Sequence, residues 1–167
     1  MLTLRPTKML ARRMALSVGP SEGPAANPYA DWSLHNFIFS RCRYLIVVNT
    51  RSLLPVVIPA RGITNGPILV KAMMESIGDN LRLSGWGSLF ERFILVETGT
   101  TKIAPIESRS LLGSINELVF FAKVELNAGV PADAAGFRLR EIPMTYLGGT
   151  SADRIFPQMA VAESSPK

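Results

Sequence analysis

Apolar residues recur along this chain with two different periods, and the changes of period mark its elements. Leu111, Ile115, Leu118, Val119, Ala122 and Leu126 follow the i, i+4, i+7, i+8 spacing of one helical face. The stretch from Glu107 to Leu126 is therefore the clearest helix in the sequence. Ser108 or Ser110 supplies its N-cap, because a hydroxyl can accept from the unpaired N–H groups of a first turn. Gly129 followed by Pro131 ends it. Gly113 interrupts the pattern. Glycine costs about 1 kcal/mol relative to alanine inside a helix, so another backbone or a bulky side chain is expected close to Gly113. Ile68, Leu69, Ala72, Met73, Ile77 and Leu81 repeat the helical spacing and predict a second amphipathic helix.

Period two dominates earlier in the chain. Leu2-Thr3-Leu4-Arg5 predicts a short strand, followed by a helix opening at Pro6-Thr7 and running to Leu16. Asp31 to Pro59 reads as a three-strand meander, with strands at Leu34–Ser40, Tyr44–Asn49 and Leu53–Ile58. Its turns fall at Arg41-Cys42-Arg43 and Thr50-Arg51-Ser52. The middle strand, Y-L-I-V-V-N, is apolar on both faces, which demands a covering layer on each side. Pro55 puts the third strand at an edge or a bulge. Later, Phe137, Leu139 and Glu141 alternate with Arg138, Arg140 and Ile142, predicting a strand that ends at Pro143. Gly19 to Tyr29 is a Gly/Pro-rich loop, long for a compact domain and so expected to be functional or mobile. Leu89 to Val96 fits helix and strand equally. The pattern as a whole predicts the α+β class: a single domain over residues 1–160, with a small, mostly antiparallel sheet packed on helices. Residues 161–167 read as a frayed tail.

Composition narrows the picture. With 167 residues, 47% hydrophobic and 19% charged, the chain is globular and not disordered. No uncharged apolar run approaches the roughly 18 residues of a membrane span. The basic start is not followed by the apolar region of a secretory leader. The single Cys42 excludes an internal disulfide and suits a reducing compartment, so a cytoplasmic location is expected. There is no His/Cys spacing for a metal and no cofactor motif. Thr98-Gly99-Thr100-Thr101 lacks the Gly-Lys-Ser/Thr ending of a phosphate loop.

Charge is distributed unevenly. The net charge is +5; residues 1–51 hold seven Lys/Arg against two acids, and residues 52–167 hold eleven of each. The excess points to an acidic partner, either a nucleic acid or an acidic protein. Arg5, Lys8 and Arg12 are expected on one exposed face of the first strand and helix, with Arg41 and Arg43 adjoining through the meander turn. Such a row is either a phosphate-binding stripe or ordinary solvated surface.

Catalytic chemistry has thinner support. His35, the sole histidine, shares strand parity with Phe37 and Phe39, and Asp31 lies four residues before it. Together they could form a general base, but no nucleophile stands at a motif spacing, and a histidine among phenylalanines also reads as a packing residue. Arg109, Ser110 and Asn116, with Glu117, lie at the entrance and first turns of the long helix and complete the set available to an enzyme.

The run R-S-L-L-G-S-I-N-E, Arg109 to Glu117, resembles the R-S-x-L-G-S-x-N-D signature of a small bacterial family known only as a domain of unknown function. L-T-L-R-P-T-K-M-L, the block D-W-S-L-H-N-F-I-F-S-R-C-R-Y-L-I-V-V-N and R-L-R-E-I-P-M are similar to the same family in the same order. The resemblance spans Met1 to Gly149, with Glu117 standing where aspartate is expected. It implies no activity and assigns no residue a role. Two functions stay open: a binding module with a basic N-terminal third, which is the reading the sequence favours, and a hydrolase or transferase acting on a phosphorylated or nucleotide substrate. Oligomeric state is not set by any of these features.

Overall fold

In the structure, a computed structural model that describes residues 1–161, one mixed sheet carries the fold. Its strands are β1 (Leu2–Pro6), β2 (Asp31–Phe39), β3 (Cys42–Asn49), β4 (Pro55–Pro59) and β5 (Thr101–Ile103), in the order β4-β3-β2-β1-β5. The helices are α1 (Lys8–Arg13), α2 (Gly66–Leu83), α3 (Gly87–Leu89), α4 (Arg109–Asn127), α5 (Ala132–Leu139) and α6 (Ala152–Ile155). The α+β class holds, and the meander β2-β3-β4 is antiparallel as its pattern predicts. The sheet is nevertheless mixed, because β1 pairs parallel with both β2 and β5.

Both faces of β3 are covered, as its uniform apolarity requires. Leu45 and Val47 pack with Leu69, Met73, Ile77 and Leu81 of α2. Ile46 and Val48 pack with Leu111, Ile115, Leu118 and Ala122 of α4. Burial of such side chains stabilises by about 1.5–3 kcal/mol each, so α4 is fixed to the sheet along its whole inner stripe. Its N-cap is Ser108, whose Oγ accepts from Leu111 N at 3.1 Å. Trp32, fully buried in the α2-side core, donates its indole N–H to the Tyr29 carbonyl at 2.8 Å.

Two expectations are corrected. A Cβ on Gly113 would meet nothing within 4 Å, so the glycine is not there for close packing. The segment 137–142 is not a strand; its first residues belong to α5. Ala132, Ala135, Gly136 and Leu139 form that helix's buried stripe, and two alternating apolar residues, Phe137 and Leu139, were too few to outweigh it. The close backbone approach sits here instead: a Cβ on Gly136 would lie 3.2 Å from Pro55 O and 3.4 Å from Val57 N. That contact covers an exposed sheet edge. Asn49 N bonds to Leu54 O and Ala60 N to Arg43 O at the two ends of the β3–β4 ladder. By antiparallel alternation, Pro55, Val57 and Pro59 therefore face outward. Two of these lack an N–H, and α5 lies over the third, which blocks edge pairing.

Leu89 to Val96 is helical, passing through a π turn at Phe90–Ile94 and a 3-10 turn at Leu95–Glu97. α1 is shorter than the predicted helix and ends at Arg13. Of the tail expected at 161–167, Val161 packs partly buried against the α2-side core, and residues 162–167 lie outside the described residues.

Candidate functional site

The carboxyl end of β1 leads directly into the site. Past Pro6, Thr7 N bonds to Leu34 O at 2.9 Å, holding the start of α1 against β2. The Thr7 hydroxyl does not cap its own helix but meets His35 Nδ1 at 3.0 Å. α1 buries Leu10 and Ala11, with Met14 buried just after it, and leaves Lys8, Met9, Arg12 and Arg13 exposed. Opposite it, Leu112, Asn116, Phe120 and Lys123 form a second stripe on α4, beside the buried one.

Between the two helices runs a groove made of two adjoining cavities of about 810 and 690 Å³, both lined by Met9, His35 and Asn116. It opens beyond the carboxyl end of β1, flanked by Pro105 and Ile106, the segment that follows β5. Clefts at the carboxyl ends of parallel strands are common ligand sites. Five cations line it, Lys8, Arg12, Arg13, Arg43 and Lys123, and no carboxylate does. None of the five is in an ion pair among the described residues. Apolar side chains share the surface: Met9 and Phe120 are 58% and 63% exposed, too open to be core. Asn36 lines the second cavity and carries a buried Oδ1 with no hydrogen-bond partner among the described residues.

His35 sits half-buried at the junction of the cavities. Burial holds its pKa below the ordinary histidine value, and the charge of Lys123 lowers it further, so the imidazole is neutral at pH 7. Its expected partner Asp31 is elsewhere. Four residues along one strand separate the two by about 13 Å, and the Asp31 carboxylate is held by Arg5.

Arg5 is the main correction among the binding candidates. It is 5% exposed and not part of any basic surface. Its Nε and Nη2 bond to the two Asp31 oxygens at 2.8 and 3.0 Å, and its other donors reach the carbonyls of Glu22, Gly23 and Pro105. Hydrogen bonding to Asp31 raises its pKa and keeps it charged in spite of burial. The Gly/Pro-rich loop is thereby pinned, with Asn27 Nδ2 also donating to Phe93 O at 2.7 Å.

The other sequence candidates divide cleanly. Lys8, Arg12 and Arg43 reach the groove, and so do His35 and Asn116. Arg41 is exposed on the β2–β3 turn outside its lining, while Arg109, Ser110 and Glu117 are exposed on α4 and do not line it. Sequence reasoning missed Lys123, Met9, Phe120 and Thr7. A signal for Phe120 existed: it lies one residue off the buried stripe of α4, where an exposed aromatic has no packing reason to be.

Among the described residues no helix is long and apolar enough to cross a membrane, and no cluster of three or more His, Cys, Asp or Glu could hold a metal ion. No curated protein and no solved structure matches the chain. The profile of a family described as "Domain of unknown function (DUF6933)" matches residues 3–158, which take in the sheet, both flanking helices and the groove. The chain belongs to that family.

Proposed function

We propose that this protein is a binding module that receives an anionic partner in the groove between α1 and α4. The observation that carries this reading is the cluster of five cations with no lining carboxylate. Like charges held together raise the local potential, and their mutual repulsion is relieved when an anion arrives. A hydrolase or transferase reading has less to stand on. Of its six residues only His35 and Asn116 share the groove, and Asp31 is committed to Arg5. A reducing, cytoplasmic setting fits the exposed free thiol of Cys42.

Fluorescence anisotropy with two labelled probes, a single-stranded oligodeoxynucleotide and a polyglutamate, tests the reading. At least one probe should bind at about 50 mM salt and weaken steeply as salt rises. The triple variant K8A/R12A/R13A should lose that binding while keeping its far-UV circular dichroism. If neither probe binds, or the triple variant binds as well as the parent, the groove is not an anion site.

A further inference from the structure

We infer that the groove's partner is an acidic, amphipathic segment of another protein; this rests on reading the groove as an anion site. The surface between the cations decides the matter. A strand of nucleic acid needs flat rings for its bases to stack on, together with donors that track its phosphates. Phe120 is the one well-exposed aromatic side chain in the lining; Phe37 is buried and stacked on Tyr44 at 5.4 Å. The rest of the apolar lining is largely aliphatic: Met9, Leu16, Val18, Ile106 and Leu112. These side chains offer a sugar-phosphate backbone nothing, but they can bury leucine or phenylalanine from a partner.

Scale agrees with this. Along α4 the lining runs from Leu112 to Lys123, twelve residues that span about 16 Å of helix axis. That length matches three turns of a docked amphipathic helix, whose anchors recur at i, i+4 and i+7. Lys8, Arg12, Arg13 and Lys123 then lie on either side, where the acidic flank of such a segment would emerge. The occupant is therefore read by two features at once: apolar anchors for the floor and carboxylates for the rims.

The test uses the full chain and three labelled probes. One is a synthetic peptide of three to four helical turns with leucine and phenylalanine on one face and glutamate on the other. The second has the same composition scrambled, and the third is the single-stranded oligodeoxynucleotide. The amphipathic peptide should bind about tenfold more tightly than the scrambled one, a difference worth about 1.4 kcal/mol. Phe120→Ser and Met9→Ser, both at exposed positions, should each weaken it severalfold with unchanged circular dichroism. Arg12→Glu should weaken it and flatten its salt dependence. Equal binding of the two peptides, or indifference to Phe120→Ser and Met9→Ser together, overturns the inference. Tighter binding of the oligonucleotide also overturns it while leaving the anion site standing, whereas failure of all three probes overturns it and, with polyglutamate failing as well, removes both.

Discussion

Arg5 and Asp31 form a two-pronged ion pair inside the protein, Nε to Oδ1 at 2.8 Å and Nη2 to Oδ2 at 3.0 Å, with both side chains almost fully buried. The pair joins β1 to β2, and the guanidinium's remaining donors hold the loop carbonyls of Glu22 and Gly23 and the Pro105 carbonyl beside β5. The Asp31 carboxylate also accepts from Ala25 N at 3.2 Å. Arg5→Ala would leave a buried carboxylate and several carbonyls unpaired, so a loss of about 3–5 kcal/mol is expected. Arg5→Lys should recover only part of it, since an ammonium cannot match the planar fork. Urea denaturation measures both. A loss below about 1 kcal/mol for Arg5→Ala would show that the pair behaves like a surface contact.

Two glycines are predicted to respond in opposite directions to alanine. At Gly136 the new methyl would meet backbone of β4 at 3.2 Å, and neither strand nor helix can yield cheaply. Gly136→Ala should therefore destabilise by about 1–3 kcal/mol. At Gly113 the new methyl meets nothing within 4 Å, on an exposed face of α4. Gly113→Ala should stabilise by about 0.5–1 kcal/mol through helix propensity alone. The midpoints of denaturation of the two variants should move apart, and movement in the same direction would refute the assignment.

These glycines also show how much was legible. The long amphipathic stripes of α2 and α4 and the meander could be read because each carries many apolar residues in one period. α5 was misread because three of the four residues of its buried stripe, Ala132, Ala135 and Gly136, carry little hydropathic signal. Gly136, just before the segment expected to be a strand, is what lets the helix touch β4. β5 is three residues long, too short for any period to register, and so the parallel pairing of β1 on both sides was not foreseen. Among the residues that line the groove, Lys8, Arg12 and Arg43 stand out in the sequence by charge. Arg5 was misassigned because charge in a sequence does not reveal its partner, and Asp31 lies 26 residues away. Lys123 and Phe120 come from the far half of the chain, which looked electrostatically balanced.

His35 gives the fold a dependence on pH. Burial and Lys123 hold its folded pKa below the reference value of 6.5. Between the folded value and 6.5 the unfolded chain binds more protons, so stability rises with pH there and is lost as pH falls through that window. His35→Gln should remove this acid-side slope, leaving only that of the carboxylates at lower pH. Lys123→Ala should raise the His35 pKa towards its ordinary value without fully restoring it, because burial is the larger cause. An NMR titration of the imidazole would read this directly. A pKa in the parent protein at or above 6.5 would contradict the environment described here.

The groove cations should contribute to binding and not to folding. Lys8, Arg12, Arg13, Arg43 and Lys123 face one space without a carboxylate among the lining residues, so in the free protein they repel one another. Replacing one with an acid then relieves repulsion and supplies an attractive neighbour. Arg12→Glu is expected to leave stability unchanged or raise it by about 0.5 kcal/mol at low ionic strength. At about 1 M salt the Debye length falls to about 3 Å, and any gain should vanish. The same variant should bind anionic probes less well at every salt concentration. Arg5 and Arg12 are both arginines of the N-terminal third, yet loss of the first should weaken the fold and loss of the second should only weaken binding in the groove. If Arg12→Glu destabilised by more than about 1 kcal/mol at both low and high salt, Arg12 would be a structural residue, and the charge cluster would have no claim to be a site.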